Sequence, residues 1–203
     1  MPMTLRQRVL LSIAMLILAT AVSRSGWAGD QPRFTRTVVA VDVPDLTLVD
    51  QDGDHVQLRS LVLTDKPVLV EFIFATCTTI CPVLSAGFAS VQRKLGPDAD
   101  SIALVSITID PEHDVPEEMK AYLGRYGAKP GWTFLTGSRS QIDDVMRAFD
   151  AYVANKMSHR PLTFVHAPGA DEWLRIEGFA GSEDLLEEVR RARGQSSASG
   201  GQP

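Results

Sequence analysis

Cys77 and Cys81 are the only two cysteines in the 203-residue chain. They stand four apart in Ala75-Thr76-Cys77-Thr78-Thr79-Ile80-Cys81-Pro82, directly after the apolar run Pro67 to Phe74. Only a thiolate is a good nucleophile or metal ligand. A thiol at a helix start loses its proton more readily, because unpaired backbone N–H groups and the positive end of the helix dipole face it. With Cys81 in the first turn of the following helix, the four-residue spacing sets both sulfurs on one side of a turn. The pair could then close a disulfide or share one metal ion. A purely stabilising disulfide is the poorer reading, since so short a loop constrains the unfolded chain least.

A closed zinc site takes four ligands, and two cysteines with scattered histidines lack the paired spacing of such sites. Two thiolates and one imidazole suit copper better, because thiolates select Cu(I) and imidazole supports Cu(II). Of the four histidines, His55 lies in an early hairpin and His166 ends a strand, pointing into a turn. His113 follows Asp110-Pro111 in a loop, and His159 sits in Met157-Ser158-His159-Arg160-Pro161 ahead of another strand. The residue pattern leaves His113 and His159 both open. Met157 carries a thioether that copper could use but reads first as core filler. Glu71, a carboxylate inside an apolar strand, needs a polar edge or a partner, and tuning of the cysteines is its second reading.

The elements that must position these groups follow from periodicity. Val43 to Val49 alternates, breaks at Asp52-Gly53 and resumes over Val56 to Leu58, which predicts a β-hairpin. Pro67 to Phe74 and Ile102 to Ile109 are nearly continuous apolar runs, as expected of strands buried on both faces. Between them Leu84, Phe88, Val91 and Leu95 recur at helical spacing until Gly96-Pro97. Asp114 reads as the cap of a helix with Met119, Leu123 and Tyr126 inward and Gly127 at its end. Trp132 to Leu135 predicts a short strand, and Ser140 to Tyr152 a helix. Leu162 to Val165 and Trp173 to Phe179 predict a strand pair across Ala167-Pro168-Gly169. Ser182 opens a last amphipathic helix. The pattern is α/β around a central sheet, where ligands gather at the carboxyl ends of strands. The segment after Phe74 is such a place, and it holds both cysteines.

The first 28 residues read as an address. Arg6 and Arg8 precede an apolar run from Val9 to Val22 and a polar stretch ending Gly26-Trp27-Ala28. That is the layout of a secretory signal peptide cleaved after Ala28, with an uncleaved N-terminal membrane anchor as the alternative. Either places the domain in the periplasm or facing the extracytoplasmic side of a membrane, where dithiols oxidise unless kept reduced. Residues 29–40 form an extended lead-in, residues 41–193 the domain, and 194–203 a Ser/Gly/Gln tail expected to be disordered. Formal net charge is −5; beyond residue 28, 17 basic face 25 acidic residues. An acidic domain without a basic stripe argues against nucleic acid as a partner.

Taken together, these segments resemble the Sco/SenC family of copper chaperones over about residues 41 to 190. The resemblance rests on Val43-Pro44-Asp45 with Leu48 ahead of Asp52-Gly53, on the Pro67 to Phe74 strand running into Cys77-Thr78-Thr79-Ile80-Cys81-Pro82, on Ser106-Ile107-Thr108-Ile109-Asp110-Pro111 with Asp114-Val115-Pro116, and on Trp132 to Gly137. It implies a thioredoxin-like fold, a central mixed sheet flanked by helices with an N-terminal β-hairpin. It also implies copper held by Cys77, Cys81 and His159, with Asp110 orienting or neutralising the site from behind. Two features depart from the family pattern. Ser158 stands where an Asp usually precedes the histidine and Arg160-Pro161 follows it, and Val115 replaces a common Thr; His113 remains the reserve ligand.

The resemblance therefore implies a copper carrier, Cu(I) on the two sulfurs and Cu(II) with His159 added, delivering to the dinuclear copper centre of cytochrome c oxidase subunit two or to another copper-accepting protein. A rival of another class is a thiol–disulfide oxidoreductase reducing the cysteines of an apo-acceptor, which needs the redox dithiol Cys77 and Cys81 alone. A peroxidase is a third reading, weakened by Phe74 standing where the peroxiredoxin segment has a proline.

Overall fold

A computed structural model describes residues 33–199. The predicted signal or anchor, residues 1–28, lies outside the described residues, as do residues 200–203. No described helix is long and apolar enough to cross a membrane.

Eight strands form one mixed sheet: β1 (Phe34–Val39), β2 (Thr47–Asp50), β3 (His55–Gln57), β4 (Val68–Ile73), β5 (Ala103–Thr108), β6 (Trp132–Thr136), β7 (Leu162–His166) and β8 (Trp173–Gly178). Their order is β1-β8-β7-β4-β5-β6-β2-β3. β4 runs parallel to β5 and antiparallel to β7, and β5 runs parallel to β6. The helices are α1 (Leu58–Val62), α2 (Cys81–Leu95), α3 (Pro116–Tyr126), α4 (Arg139–Ala148) and α5 (Ser182–Ser199).

All six residues of β4 are buried. Successive strand side chains point to opposite faces, and here both faces are covered. Glu71 meets Ser85 of α2, while Phe72 packs against Phe149 at the end of α4 with ring centroids 5.4 Å apart. Phe149 also meets Phe164 at 5.0 Å and Trp173 at 5.1 Å, both edge-on. On the other side, Tyr122 of α3 packs on Phe134 at 5.6 Å. A strand covered on both faces leaves no position for solvent-facing polar residues, which accounts for an apolar run interrupted only by Glu71, itself buried on its serine partners.

The structure departs from the expectations at several points. The stretch read as a lead-in contains β1, which pairs antiparallel along the whole of β8. Its partner lies some 140 residues away, so no local pattern announces it. The helix expected over Ser140 to Tyr152 runs instead from Arg139 to Ala148, opened by a capping box between Ser138 and Gln141. It ends where Asp150 takes a left-handed φ of 49°, a conformation no helix continues through. Leu58 starts the short α1 rather than ending a strand. α5 is described from Ser182 to Ser199. Gly127 does end α3, at φ 64°.

Asp114 is the correction that matters for the site. α3 is opened by Val115 with no side-chain cap. The Asp114 carboxylate is instead fully buried and turned toward the cysteine loop.

Candidate metal centre

β4 ends at Ile73, and the chain turns before α2 begins at Cys81. Cys77 lies in that turn, its N–H donating to Phe74 O at 3.1 Å. The sulfurs are thus brought together by a loop and a helix start rather than by one helical turn. Cys81 is the first residue of α2, followed by Pro82, a placement that leaves its thiol among the unpaired N–H groups of the first turn.

The loop is fixed from behind through Ala75. Its N–H donates to both carboxylate oxygens of Asp114, at 3.1 and 3.2 Å. Its carbonyl accepts from the Arg125 guanidinium at 3.2 Å. Thr108 at the end of β5 donates its hydroxyl to Asp114 at 2.5 Å. Burial pushes the Asp114 carboxyl up, against those hydrogen bonds. Sequence reasoning took Asp114 for a helix cap and did not single out Arg125; only the position of Asp114 four residues after Asp110-Pro111 hinted at more.

His159 follows a short 3₁₀ turn, Lys156–Ser158, just ahead of β7, the antiparallel neighbour of β4. Asn155 opens that turn by accepting the Met157 N–H at 2.9 Å. The ring Nδ1 lies 2.6 Å from Lys156 O. A carbonyl can only accept, so Nδ1 carries the proton and Nε2 is left with its lone pair free. That Nε2 stands 3.2 Å from Cys81 Sγ. One donor atom from each of Cys77, Cys81 and His159 lies within 4.8 Å of the others. Phe74, edge-on to the imidazole at 5.2 Å between centroids, walls the site.

The two thiols are unlike. Burial pushes Cys77 up, but hydrogen bonds from the Cys81 thiol, from backbone N–H groups and from Thr79 outweigh it and hold Cys77 below the usual thiol range. The Thr79 hydroxyl is 3.6 Å from its sulfur. Cys81 has no exposed surface, and burial together with donation to Cys77 pushes its thiol far up. Burial also pushes His159 down, against the Lys156 carbonyl, which keeps the imidazole neutral and able to donate its Nε2 lone pair.

Asp110 does not touch the donors. Its carboxylate bonds the Lys156 ammonium and the His113 ring, Nδ1 to Oδ1 at 3.0 Å. It therefore reaches His159 through the lysine whose carbonyl orients the imidazole. The Lys156 ammonium also lies 5.1 Å from the centre of the Phe74 ring. On its other side the loop is tied by Arg160, which donates to Asp150 O at 2.7 Å and to Glu177 at 3.4 Å.

His113, the reserve ligand, has a 65% exposed side chain turned to Asp110 and is absent from the donor cluster. Met157 is no core filler: it is 65% exposed, because the capped turn that aims His159 inward points its neighbour outward. His166 donates its Nε2–H to Ala170 O at 3.0 Å, in the turn where it was expected. Glu71 finds partners, Ser85 at 3.0 Å and Ser106 at 2.7 Å.

Two sulfurs and one neutral imidazole nitrogen, converging in a mostly buried spot, form a soft three-donor set. No fourth His, Cys, Asp or Glu joins them among the described residues, so the set fits a soft ion of low coordination number better than a closed four-ligand zinc site.

Comparison with known proteins agrees with this geometry. The SCO1/SenC family model matches residues 39–191. The SCO1 protein homolog of Bacillus subtilis is 36% identical over 161 residues, 74% of this chain and 82% of that protein. The structure of BsSco, a member of the Sco family of cytochrome c oxidase assembly proteins in which a disulfide switch was identified, superposes with a TM-score of 0.64 at 28% identity, covering 78% of this chain and 96% of that one. Bradyrhizobium japonicum ScoI, solved with copper bound, gives 0.58 at 25% identity, covering 76% and 99%. The sheet and its helices are the thioredoxin-like fold of these proteins, and the chain belongs to the SCO1/SenC family.

Proposed function

We propose that this protein is an exported copper carrier that loads an acceptor in cytochrome c oxidase assembly. The observation that carries the reading is the convergence of Cys77, Cys81 and the free Nε2 of His159 within 4.8 Å of one another. Thiolates select Cu(I), and the imidazole adds the harder donor that Cu(II) prefers. Cu(I) sits on Cys77 and Cys81, His159 joins most firmly in the Cu(II) form, and the ion leaves by exchange with incoming ligands of the acceptor. The acceptor is the dinuclear copper centre of cytochrome c oxidase subunit two. Residues 1–28 send the domain out of the cytoplasm, as a cleaved signal or as an anchor.

Titration of the reduced protein with Cu(I) tests this: one equivalent per chain is expected, and Cys77→Ser abolishes it. Stoichiometric binding that survives that substitution sinks the proposal. Transfer is read by mixing the loaded protein with the apo copper domain of subunit two and following the copper spectrum of the acceptor.

One observation favours a second reading, reduction of an acceptor's disulfide. Cys77 is held low and lies nearer the surface, while Cys81 is buried and held high. That is the division between an attacking and a resolving thiol. His159→Ala separates the two readings, since it weakens Cu(II) binding and leaves dithiol exchange intact.

A further inference from the structure

Glu71 lies in the middle of β4, fully buried, opposite Ser106 of β5 and Thr163 of β7 in the sheet register. Its Oε1 accepts the hydroxyls of Ser106 and Ser85. Both hydroxyls are themselves engaged. Ser106 Oγ accepts the Trp132 Nε1–H at 2.9 Å, and Ser85 Oγ pairs with the Tyr122 hydroxyl at 2.8 Å. Oε2 has no partner and no exposure. A buried carboxylate with one bare oxygen is costly, and a proton on that oxygen removes the charge.

Ser85 is one helical turn beyond Cys81 on α2, so the carboxyl sits beneath the turn that carries the thiol. The titratable groups that feel it are Cys81 of α2 and Tyr122 of α3; β5 and β6 offer only Ser106 and Trp132, and β7 Thr163. No cation is among the groups that shift it.

We propose that Glu71 is a positioning residue for the dithiol: it carries a proton on Oε2 while the cysteines are reduced, and its charge and the charge of the Cys77–Cys81 pair oppose one another. Burial pushes its carboxyl up to about 8, against the two serine hydroxyls, which puts the exchange of this proton within reach of physiological pH. Negative charge gathers on the sulfurs in the reduced protein and vanishes in the disulfide. Glu71 therefore releases its proton at higher pH when the pair is reduced, and by reciprocity the dithiol is the more easily oxidised once Glu71 is ionised. The inference rests on the cysteine pair being chemically active, not on copper.

The test uses the metal-free protein. Carbon-13 NMR of glutamate-labelled protein follows the Glu71 carboxyl, assigned by its loss in Glu71→Gln, from pH 5 to 10. A midpoint near pH 8 is expected in the reduced form, moving down on oxidation. In the second arm, glutathione disulfide oxidises the pair: one S–S bond forms as two thiols lose two electrons and two protons, and one glutathione disulfide becomes two glutathiones. The pH dependence of that equilibrium is expected to bend at the Glu71 midpoint in the wild type. In Glu71→Gln this bend is lost and the one due to Cys77 stays. A Glu71 signal that titrates in the ordinary carboxylate range, or at one midpoint in both redox forms, overturns the proposal. The NMR arm needs only the wild-type fold.

Discussion

The Nε2 of His159 stands 3.2 Å from Cys81 Sγ while its Nδ1–H is spent on Lys156 O. The backbone of one turn thus fixes both which nitrogen is bare and where it points, across 78 residues of chain. Loss of the ring should cost Cu(II) far more than Cu(I). His159→Ala is expected to lower Cu(II) affinity by at least about tenfold, the scale of losses seen even for groups behind the ligands, with the Cu(I) stoichiometry unchanged. Optical and EPR titrations measure it. Equal loss of both oxidation states would mean that the imidazole organises the dithiol rather than binding the ion.

Much of this site was legible before the fold was known, and the reasons differ by residue. Cys77 and Cys81 are local, a pair at the end of an apolar strand, and both faces of that strand are indeed covered. His159 was not separable from His113 by pattern, because its role depends on where a distant turn docks; only the resemblance selected it. Asp114 misled for a related reason. A carboxylate just ahead of a helix reads as a cap, yet here it is drawn backward by the Ala75 N–H and the Thr108 hydroxyl, two groups that sequence spacing cannot bring together. β1 escaped because its pairing with β8 spans nearly the whole domain.

The Cys77 thiol should ionise below the ordinary value of about 8.5, since Cys81, the backbone and Thr79 all donate to its thiolate. The rate of alkylation of the reduced protein by iodoacetamide, followed against pH, is expected to have its midpoint under that value. Mass spectrometry should find the label on Cys77 alone. Thr79→Val removes one donor and moves the midpoint up. Labelling of Cys81 first would reverse the assigned roles.

Asp114 supports the cysteine loop through Ala75. Asp114→Ala strands a buried N–H and the Thr108 hydroxyl, and each unpaired buried group costs about 1–3 kcal/mol. A stability loss of about 2–4 kcal/mol in urea unfolding is therefore expected. Cu(I) affinity falls with it. Asp114→Asn keeps one acceptor without the buried charge, so it should lose less on both counts. If the alanine variant were as stable as the wild type, the loop would owe its shape to something other than this carboxylate.

Asp110 ties the His159 turn by holding Lys156, and the pH dependence of that tie has a definite sign. Burial raises the Asp110 carboxyl, but Lys156 and His113 outweigh it and hold it below its ordinary value. A carboxyl lowered in the folded state stabilises above its unfolded pKa of about 3.9 and loses that contribution as pH falls through the lowered folded value. Urea midpoints measured from pH 7 down to 2 should drop through the acid range in the wild type, and drop less steeply in Lys156→Met. At neutral pH the same substitution frees the turn, so Cu(II) affinity should fall while Cys77 alkylation keeps its pH profile. A Lys156→Met protein with wild-type Cu(II) affinity would show that Asn155 and Arg160 suffice to aim the imidazole, and that the ion pair with Asp110 serves only the stability of the fold.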